Sequence, residues 1–316
     1  MALPEMHHPI RVGDMKHLTT FRLIDAIARS GSIRSAADQM AQTPSAVQRR
    51  LQAYEEELGY QIFDRSPGGV RLNAAGELVI QHIRETLAET VRLRSRIADL
   101  TGNRRGHVSL GCSQALVPYF LPARIAAYQA EFPRVTFGVQ VLEHRSASEA
   151  LEDFSVDAVL VFSDGGVPEY EVLLAVPQQI TAVMSRDHPL AEERPLRLWQ
   201  CYDYPIAMPN RGFGGRTLLE RSLYDKGFAK APVLETNSFE YLKAHVAATD
   251  AITFQIQIGA PGADTPGAII GRPIDKRDVP SGQLLLGKKP GRILPVAASR
   301  FVEDVRKALV EAYAPE

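Results

Sequence analysis

Thr43-Pro44-Ser45-Ala46-Val47-Gln48-Arg49-Arg50-Leu51 is the stretch on which the reading of this chain turns. A hydroxyl followed by a proline opens a helix. Thr43 supplies a side-chain acceptor for free N–H groups, and Pro44 occupies a first position where no donor is missed. Val47, Leu51 and Tyr54 recur at helical spacing and face a core. Ser45, Gln48, Arg49 and Gln52 then face outward, with Arg50 beside them. Arginine forks onto guanine edges or phosphates, and glutamine suits adenine. A helix N-terminus also offers N–H groups to a phosphate. The competing reading is a solvated face whose arginines pair with Glu55, Glu56 and Glu57.

The flanks favour the first reading. From Met15, Leu18, Phe21, Leu23, Ile24 and Ile27 predict a helix that Gly31 stops. Ser32 caps a second helix with Ile33, Ala36, Ala37 and Met40 on its inner side, and the two alanines let helices cross closely. Three helices with a tight turn before the third make a helix-turn-helix. Leu58 to Arg65 and Val70 to Leu72 then read as two short strands around Ser66-Pro67-Gly68-Gly69, a hairpin wing. Arg65 and Arg71 stand at its two sides, placed for phosphate or minor-groove contact.

Asn73 opens a long helical stretch, Ala74 to about Leu100, with no proline and no glycine after Gly76. Leu78, Ile80, Ile83, Leu87, Val91 and Ile97 form its apolar side. A helix of roughly 25 residues spans about 38 Å. Such a stripe must be buried against something. Gly102 to Gly106 is a polar hinge and the best domain boundary.

Beyond it, strands and helices alternate. Strands are predicted at His107–Cys112, Val135–Leu142 and Asp157–Phe162, and helices at Val117–Phe132 and Ala147–Phe154. This predicts an α/β domain with a mainly parallel sheet. Strand Val172–Val176 leads to a second lobe with strands at Ile180–Met184, Pro205–Met208 and Thr253–Ile256 and a helix near Arg216–Lys226. A return crossing near Gly271–Arg277, strand Gln283–Leu286 and a helix from about Pro295 to Tyr313 close the first lobe.

Bulk properties fit this layout. The 316 residues suit two or three domains, 45% hydrophobic and 23% charged content supports packed cores, and the net charge of −1 requires any nucleic-acid contact to come from a local patch. Residues 11–72 hold nine Arg/Lys against seven Asp/Glu, so placement matters more than excess. Cys112 and Cys201 read as two buried structural thiols in a reducing cytosol. No apolar run approaches the roughly 18 residues of a membrane span. The eight histidines show no metal spacing. Residues 1–14 read as an extension and not as a signal peptide.

The ordered set Ser30-Gly31-Ser32-Ile33, Ala36-Ala37, Thr43-Pro44-Ser45-Ala46-Val47, Glu55-Glu56-Glu57-Leu58-Gly59, Phe63-Asp64-Arg65 and Leu72-Asn73-Ala74-Ala75-Gly76 resembles the N-terminal region of LysR-type transcriptional regulators. The likeness runs without gaps from about Met15 to Gly76. Gln48 departs from it, standing where the family has a small hydroxyl residue, as does Asn73, standing where it has threonine. The resemblance implies a winged helix-turn-helix at 15–73, a linker helix that dimerises at 74–101, and a two-lobed α/β effector domain similar to periplasmic binding proteins at 106–316. Lobe I then holds 106–177 and 275–316, and lobe II 178–274. It further implies a cytoplasmic, non-enzymatic regulator that pairs as a homodimer, assembles to a homotetramer, binds double-stranded promoter DNA and engages RNA polymerase. Ser32, Thr43, Pro44, Ser45, Gln48, Arg49, Arg50, Arg65 and Arg71 are the candidate DNA-contacting residues.

In open α/β sheets ligands gather at strand carboxyl ends and helix N-termini. Four predicted loops qualify: Ser113-Gln114, Arg145-Ser146, Asn210 to Gly215 and Phe254-Gln255. Ser113 and Ser146 would donate to an oxyanion such as a carboxylate effector. Arg145 or Arg211 would supply charge, and Phe213 or Phe254 an apolar wall, with Asn210 and Gln255 nearby. No cofactor is expected beyond that small molecule. The rival readings are an enzyme or solute-binding protein on the two-lobed fold, and a ligand-independent DNA binder.

Overall fold

The computed structural model describes residues 16–66, 68–100, 105–163, 165–193, 196–224 and 230–313. The expected N-terminal extension, Pro67 of the wing turn, most of the polar hinge and the expected helix end at Lys226 lie outside them. The chain divides into two compact units at Arg94/Ser95.

The first unit contains α1 (Lys16–Ser30), α2 (Ile33–Gln39), α3 (Pro44–Leu58), the hairpin β1 (Phe63–Ser66) and β2 (Gly69–Leu72), and the N-terminal part of α4 (Ala74–Leu100). Leu23, Ile24 and Ile27 of α1, Ala36 and Ala37 of α2, Val47 and Leu51 of α3, and Ile62 form one buried cluster with Ile80 and Ile83 of α4. The first turns of α4 are thus part of this core. A partly buried ion pair reinforces the joint: Asp25 of α1 takes Arg84 Nε of α4 at 2.8 Å and Arg29 Nε at 2.9 Å. Each cap expected from sequence is made. Ser32 Oγ accepts from Ser35 N, Thr43 Oγ1 from Ala46 N, and Asn73 Oδ1 from Gly76 N. The wing is held by backbone. Val70 N donates to the carbonyl of Gly31, which ends α1 with φ +62°. Gly69 packs so closely there that a Cβ would lie 2.2 Å from that carbonyl oxygen, so no side chain fits.

The second unit opens with β3 (Gly106–Cys112), a 3₁₀ turn at Gln114–Leu116, α5 (Phe120–Glu131), β4 (Val135–Val141), α6 (His144–Glu152), β5 (Ala158–Ser163) and β6 (Glu171–Gln178). Next come β7 (Ile180–Ser185), α7 (Leu198–Cys201), β8 (Ala207–Pro209), α8 (Gly214–Tyr224), β9 (Leu234–Thr236), α9 (Phe239–Ala247), β10 (Thr253–Ile256) and β11 (Ile269–Pro273). β12 (Gly282–Lys288) and α10 (Val296–Tyr313) end it. The larger sheet has the order β4-β3-β5-β12-β6. β3 is parallel to β4 and β5, and β12 is antiparallel to both β5 and β6, so four strands run one way and β12 alone opposes them, which makes the sheet mixed. The direction of β12 follows from its entry out of the other lobe, which an apolar run does not encode. The smaller sheet, β10-β7-β11, is antiparallel throughout.

Two helix starts differ from the sequence expectation. Pro118 and Pro122 delay α5 to Phe120, with Pro122 in the first turn, where a missing N–H costs no ladder bond. α6 starts one turn early, at His144, so Arg145 and Ser146 belong to a helix and not to a loop.

The lobes are joined by two crossings that bond to one another. Ile274 N donates to Ile180 O at 2.9 Å, and Gln179 Nε2 donates to Ile274 O. The buried Gln178 accepts Ile258 N at 2.9 Å. Both cysteines are free and buried, Cys112 in β3 and Cys201 in α7, and burial pushes their thiols up to about 11 and about 12. Such thiols are unreactive near neutrality.

His188 gives the second unit a pH dependence. Its Nδ1 accepts Leu190 N at 3.1 Å and its Nε2 lies 3.2 Å from Asp250 O, a pairing that requires the neutral ring with its proton on Nε2. Burial lowers its pKa from the ordinary 6.5. A depressed imidazole gives stability that is complete above the unfolded value and lost as pH falls below it. The thermal midpoint of this unit is therefore expected to drop between pH 7 and pH 5. In His188→Gln that part of the drop disappears in calorimetric scans, and an unchanged slope would exclude His188 as its source.

Candidate nucleic-acid interface and ligand cavity

On α3 the buried face is Val47 and Leu51, and the opposite face carries Thr43, Pro44, Ser45, Arg49 and Arg50, all exposed, with Gln48 half-buried. Among the described residues no carboxylate pairs with Arg49 or Arg50. The acidic run that could neutralise them is engaged elsewhere at its first member, since Glu55 Oε1 accepts Ile62 N at 2.8 Å and fixes the entry into the wing. Glu56 and Glu57 point into solvent on a later turn. Both arginines thus stay available, on a helix whose N-terminus is free of acidic residues. Ser32 Oγ caps α2 by accepting Ser35 N, which leaves its hydroxyl proton to donate. In the wing, Arg65 is opposite Val70 and Arg71 opposite Asp64. This register sets the two arginines on opposite faces of the ribbon, both exposed.

The second unit holds a cavity of about 250 Å³ between its lobes. Ser113, Gln114, Phe213, Phe254 and Gln255 line it, as the strand-end rule leads one to expect. Arg145, Ser146, Asn210 and Arg211 do not. The expected charge from Arg145 or Arg211, and the expected donor at Ser146, are therefore corrected. Arg145 and Ser146 are exposed on α6, and Asn210 and Arg211 are exposed before α8 begins. The residues at the cavity wall are their neighbours, Glu143 and His144 in one place and Gly212 to Gly215 in the other. Phe162, Asn237 and Phe239 also line it and were missed. Ser238 is a visible signal for the last two, being a cap residue before the apolar pair Leu242 and Val246.

Ser113 does not cap the turn after it. Its Oγ accepts Phe162 N at 2.9 Å, which leaves the hydroxyl proton free to donate. Gln114 bridges the lobes: its Nε2 donates to Asn237 O at 3.1 Å, and its Oε1 accepts Phe239 N at the start of α9. Close packing sits beside this bridge, since a Cβ on Gly259 would meet the Ala115 carbonyl oxygen at 2.8 Å. Three of the buried polar atoms without partners among the described residues belong to the smaller sheet, Gln255 Nε2, Thr181 Oγ1 and Thr253 Oγ1, and a further one, His144 Nδ1, belongs to the cavity wall. Gln255 and Thr181 are cross-strand partners, so the row lies on one face of the smaller sheet with Gln255 at the cavity. No group of three or more metal-ligating side chains occurs among the described residues. No helix there is long and apolar enough to cross a membrane.

Comparison with known proteins covers both units. Residues 18–77 match the bacterial regulatory helix-turn-helix protein family, lysR family, and residues 101–310 match the LysR substrate binding domain. A probable nitrogen assimilation transcriptional activator of Synechococcus elongatus is 25% identical over 223 residues, 70% of this chain and 72% of that protein. The HTH-type transcriptional regulator CbbR of Xanthobacter flavus is 27% identical over 292 residues, 85% of this chain and 86% of that protein. Among solved structures, a full-length OxyR point variant from Pseudomonas aeruginosa superposes with TM-score 0.63 at 19% identity, covering 98% of this chain and 99% of that one. Full-length CbnR in complex with its target DNA gives TM-score 0.60 at 18% identity, covering 92% and 99%.

The bridge at Gln114 has a measurable consequence. Gln114→Ala removes both interlobe hydrogen bonds, each worth about 1 kcal/mol. Unfolding of the second unit in urea is expected to weaken by about 1–3 kcal/mol, with the first unit unaffected. An unchanged midpoint would show that the lobes are held by other contacts.

Proposed function

This chain belongs to the LysR family of transcriptional regulators, and we propose that it reads a two-fold operator through paired copies of α3 and adjusts that reading when a small molecule occupies the interlobe cavity. It is a DNA-binding transcriptional regulator with an effector-sensing C-terminal domain. The observation that carries the DNA assignment is the unpaired face of Arg49 and Arg50 on a helix opened by Thr43 and Pro44. In this reading Arg49 and Gln48 meet base edges, while Ser32, Thr43, Pro44, Ser45 and Arg50 meet the backbone beside them. Arg65 and Arg71 bracket the adjacent phosphates from the wing.

α4 serves as the pairing helix, and its two-fold relation places two copies of α3 on one site. The dimer assembles further to a tetramer, acts in the cytoplasm and engages RNA polymerase at the promoter. The lobe pair, 106–177 with 275–316 and 178–274, binds its effector without turning it over. Ser113, Gln114, Phe213, Phe254 and Gln255 are the contacting residues. A ligand that favours one lobe arrangement biases the DNA-bound geometry by the difference in its two affinities.

Arg49→Ala is expected to weaken specific operator binding by roughly 10- to 100-fold, the worth of a bidentate base contact of about 1–3 kcal/mol. Circular dichroism should be unchanged. Arg65→Ala is expected instead to weaken all sequences alike and to make the dependence on log[salt] shallower by about one unit. Mobility-shift titrations at several salt concentrations separate the two. Unaltered operator affinity in Arg49→Ala would remove α3 as the reading helix.

A further inference from the structure

The charge pattern of the interlobe cavity bears on the kind of molecule it takes. The ionisable side chains among its described lining residues are Glu143 and His144, with no arginine or lysine. Glu143 stands at the mouth. It is exposed at the start of α6, and its Oε2 lies 3.9 Å from where a Cβ on Gly212 of the other lobe would sit.

Helix N-termini in the wall do not reverse this. At α9 two of the first N–H groups are taken, Phe239 N by Gln114 Oε1 and Tyr241 N by Ser238 Oγ. At α6 the N-terminus lies beside the full negative charge of Glu143. At α8 the first residues, Gly214 and Gly215, carry only the partial charge of a helix end, about half a unit. A carboxylate taken from water needs a full counter-charge or several strong donors to offset its desolvation. A neutral carbonyl oxygen needs one or two donors.

Two amide or hydroxyl donors of that kind are present and unused, beside the buried His144 Nδ1, which also has no partner among the described residues. Gln255 is 3% exposed and its Nε2 has no partner among the described residues. Ser113 accepts Phe162 N and keeps its own proton to give. The walls are aromatic: Phe162, Phe213, Phe239 and Phe254 all line the cavity, and the rings of Phe213 and Phe239 lie 5.2 Å apart at 47°. At about 250 Å³ the cavity exceeds the roughly 150 Å³ that takes a benzene ring, which leaves room for one ring with a substituent.

We propose that the effector is an aromatic amide carrying no negative charge. Its ring lies among the four phenylalanines, its carbonyl oxygen accepts from Gln255 Nε2 and Ser113 Oγ, and its N–H groups face Glu143 at the mouth. An aromatic carboxylate of the same size is disfavoured by Glu143 and by the absence of an arginine or lysine among the described lining residues. This rests on the interlobe cavity being the effector site, and the test separates the two ideas.

Benzamide and benzoate are nearly isosteric and differ in charge. Calorimetric titration of the full chain at pH 7.5 is expected to show saturable binding of benzamide and at least tenfold weaker binding of benzoate. Gln255→Leu should weaken benzamide by tenfold or more. Glu143→Gln should strengthen benzoate several-fold and so narrow the gap. Gly215→Leu fills the cavity wall at a position where a Cβ meets only ordinary contacts, 3.8 Å from Ile256 and 3.9 Å from Ile180, and should abolish binding of either probe with circular dichroism unchanged. Benzoate binding as tight as benzamide, abolished by Gly215→Leu, overturns the charge class and leaves the cavity as the site. Benzamide binding that survives Gly215→Leu overturns the cavity itself. Saturable binding of neither probe overturns the aromatic class.

Discussion

The structure depends on how one long helix disposes of its apolar residues. α4 runs 27 residues, and its two ends meet different demands. Ile80 and Ile83 are buried in the core of the first unit, which fixes the start of the helix to the DNA-reading bundle. Leu78, Leu93, Ile97 and Leu100, which share one side of the helix, are 76, 55, 52 and 88% exposed. Apolar surface left in water costs about 25 cal/mol per Å², and a large exposed apolar patch marks an interaction site. A single copy leaves that stripe uncovered. In the proposed dimer a second copy covers it and brings a second α3 into fixed relation with the first.

The same economy governs the two binding faces. On α3 the acidic run after the arginines is kept from neutralising them, because Glu55 is committed to the backbone of Ile62. In the second unit the lobes meet through few polar contacts, with Gln114 reaching across and Gln179 joining the two crossings. A small number of directional bonds between two packed lobes makes a hinge whose setting a ligand can shift by a few kcal/mol, the usual scale of coupling between sites. The unpartnered amide of Gln255 fits that arrangement, since a buried donor without an acceptor is a cost that a ligand removes.

Much of the first unit was legible in the sequence because its rules are local. Caps at Ser32, Thr43 and Asn73, the stop at Gly31 and the helical spacing of Leu23, Ile27, Val47 and Leu51 are each set within a few residues, and each occurs as read. The cavity was legible only where strand ends are. Ser113, Gln114, Phe213, Phe254 and Gln255 follow from strand carboxyl ends, whereas the charged Arg145 and Arg211 stand exposed outside the lining. A one-turn shift in the start of α6 put Glu143 and His144 at the wall and Arg145 in solvent, reversing the sign of the charge there. The orientation of β12 and the closeness of Gln114 to Phe239, 125 residues later, are set by tertiary closure and leave no local trace.

The proposed pairing through α4 is what would hold two DNA-reading bundles on one site. Sedimentation equilibrium of the full chain at micromolar concentration, alone and with Leu93→Glu/Ile97→Glu, tests it most directly. The account predicts a dimer or larger assembly for the native chain. The double variant should remain helical, sediment as a monomer and lose operator affinity. A native chain that sediments as a monomer and binds its operator with undiminished affinity would contradict it.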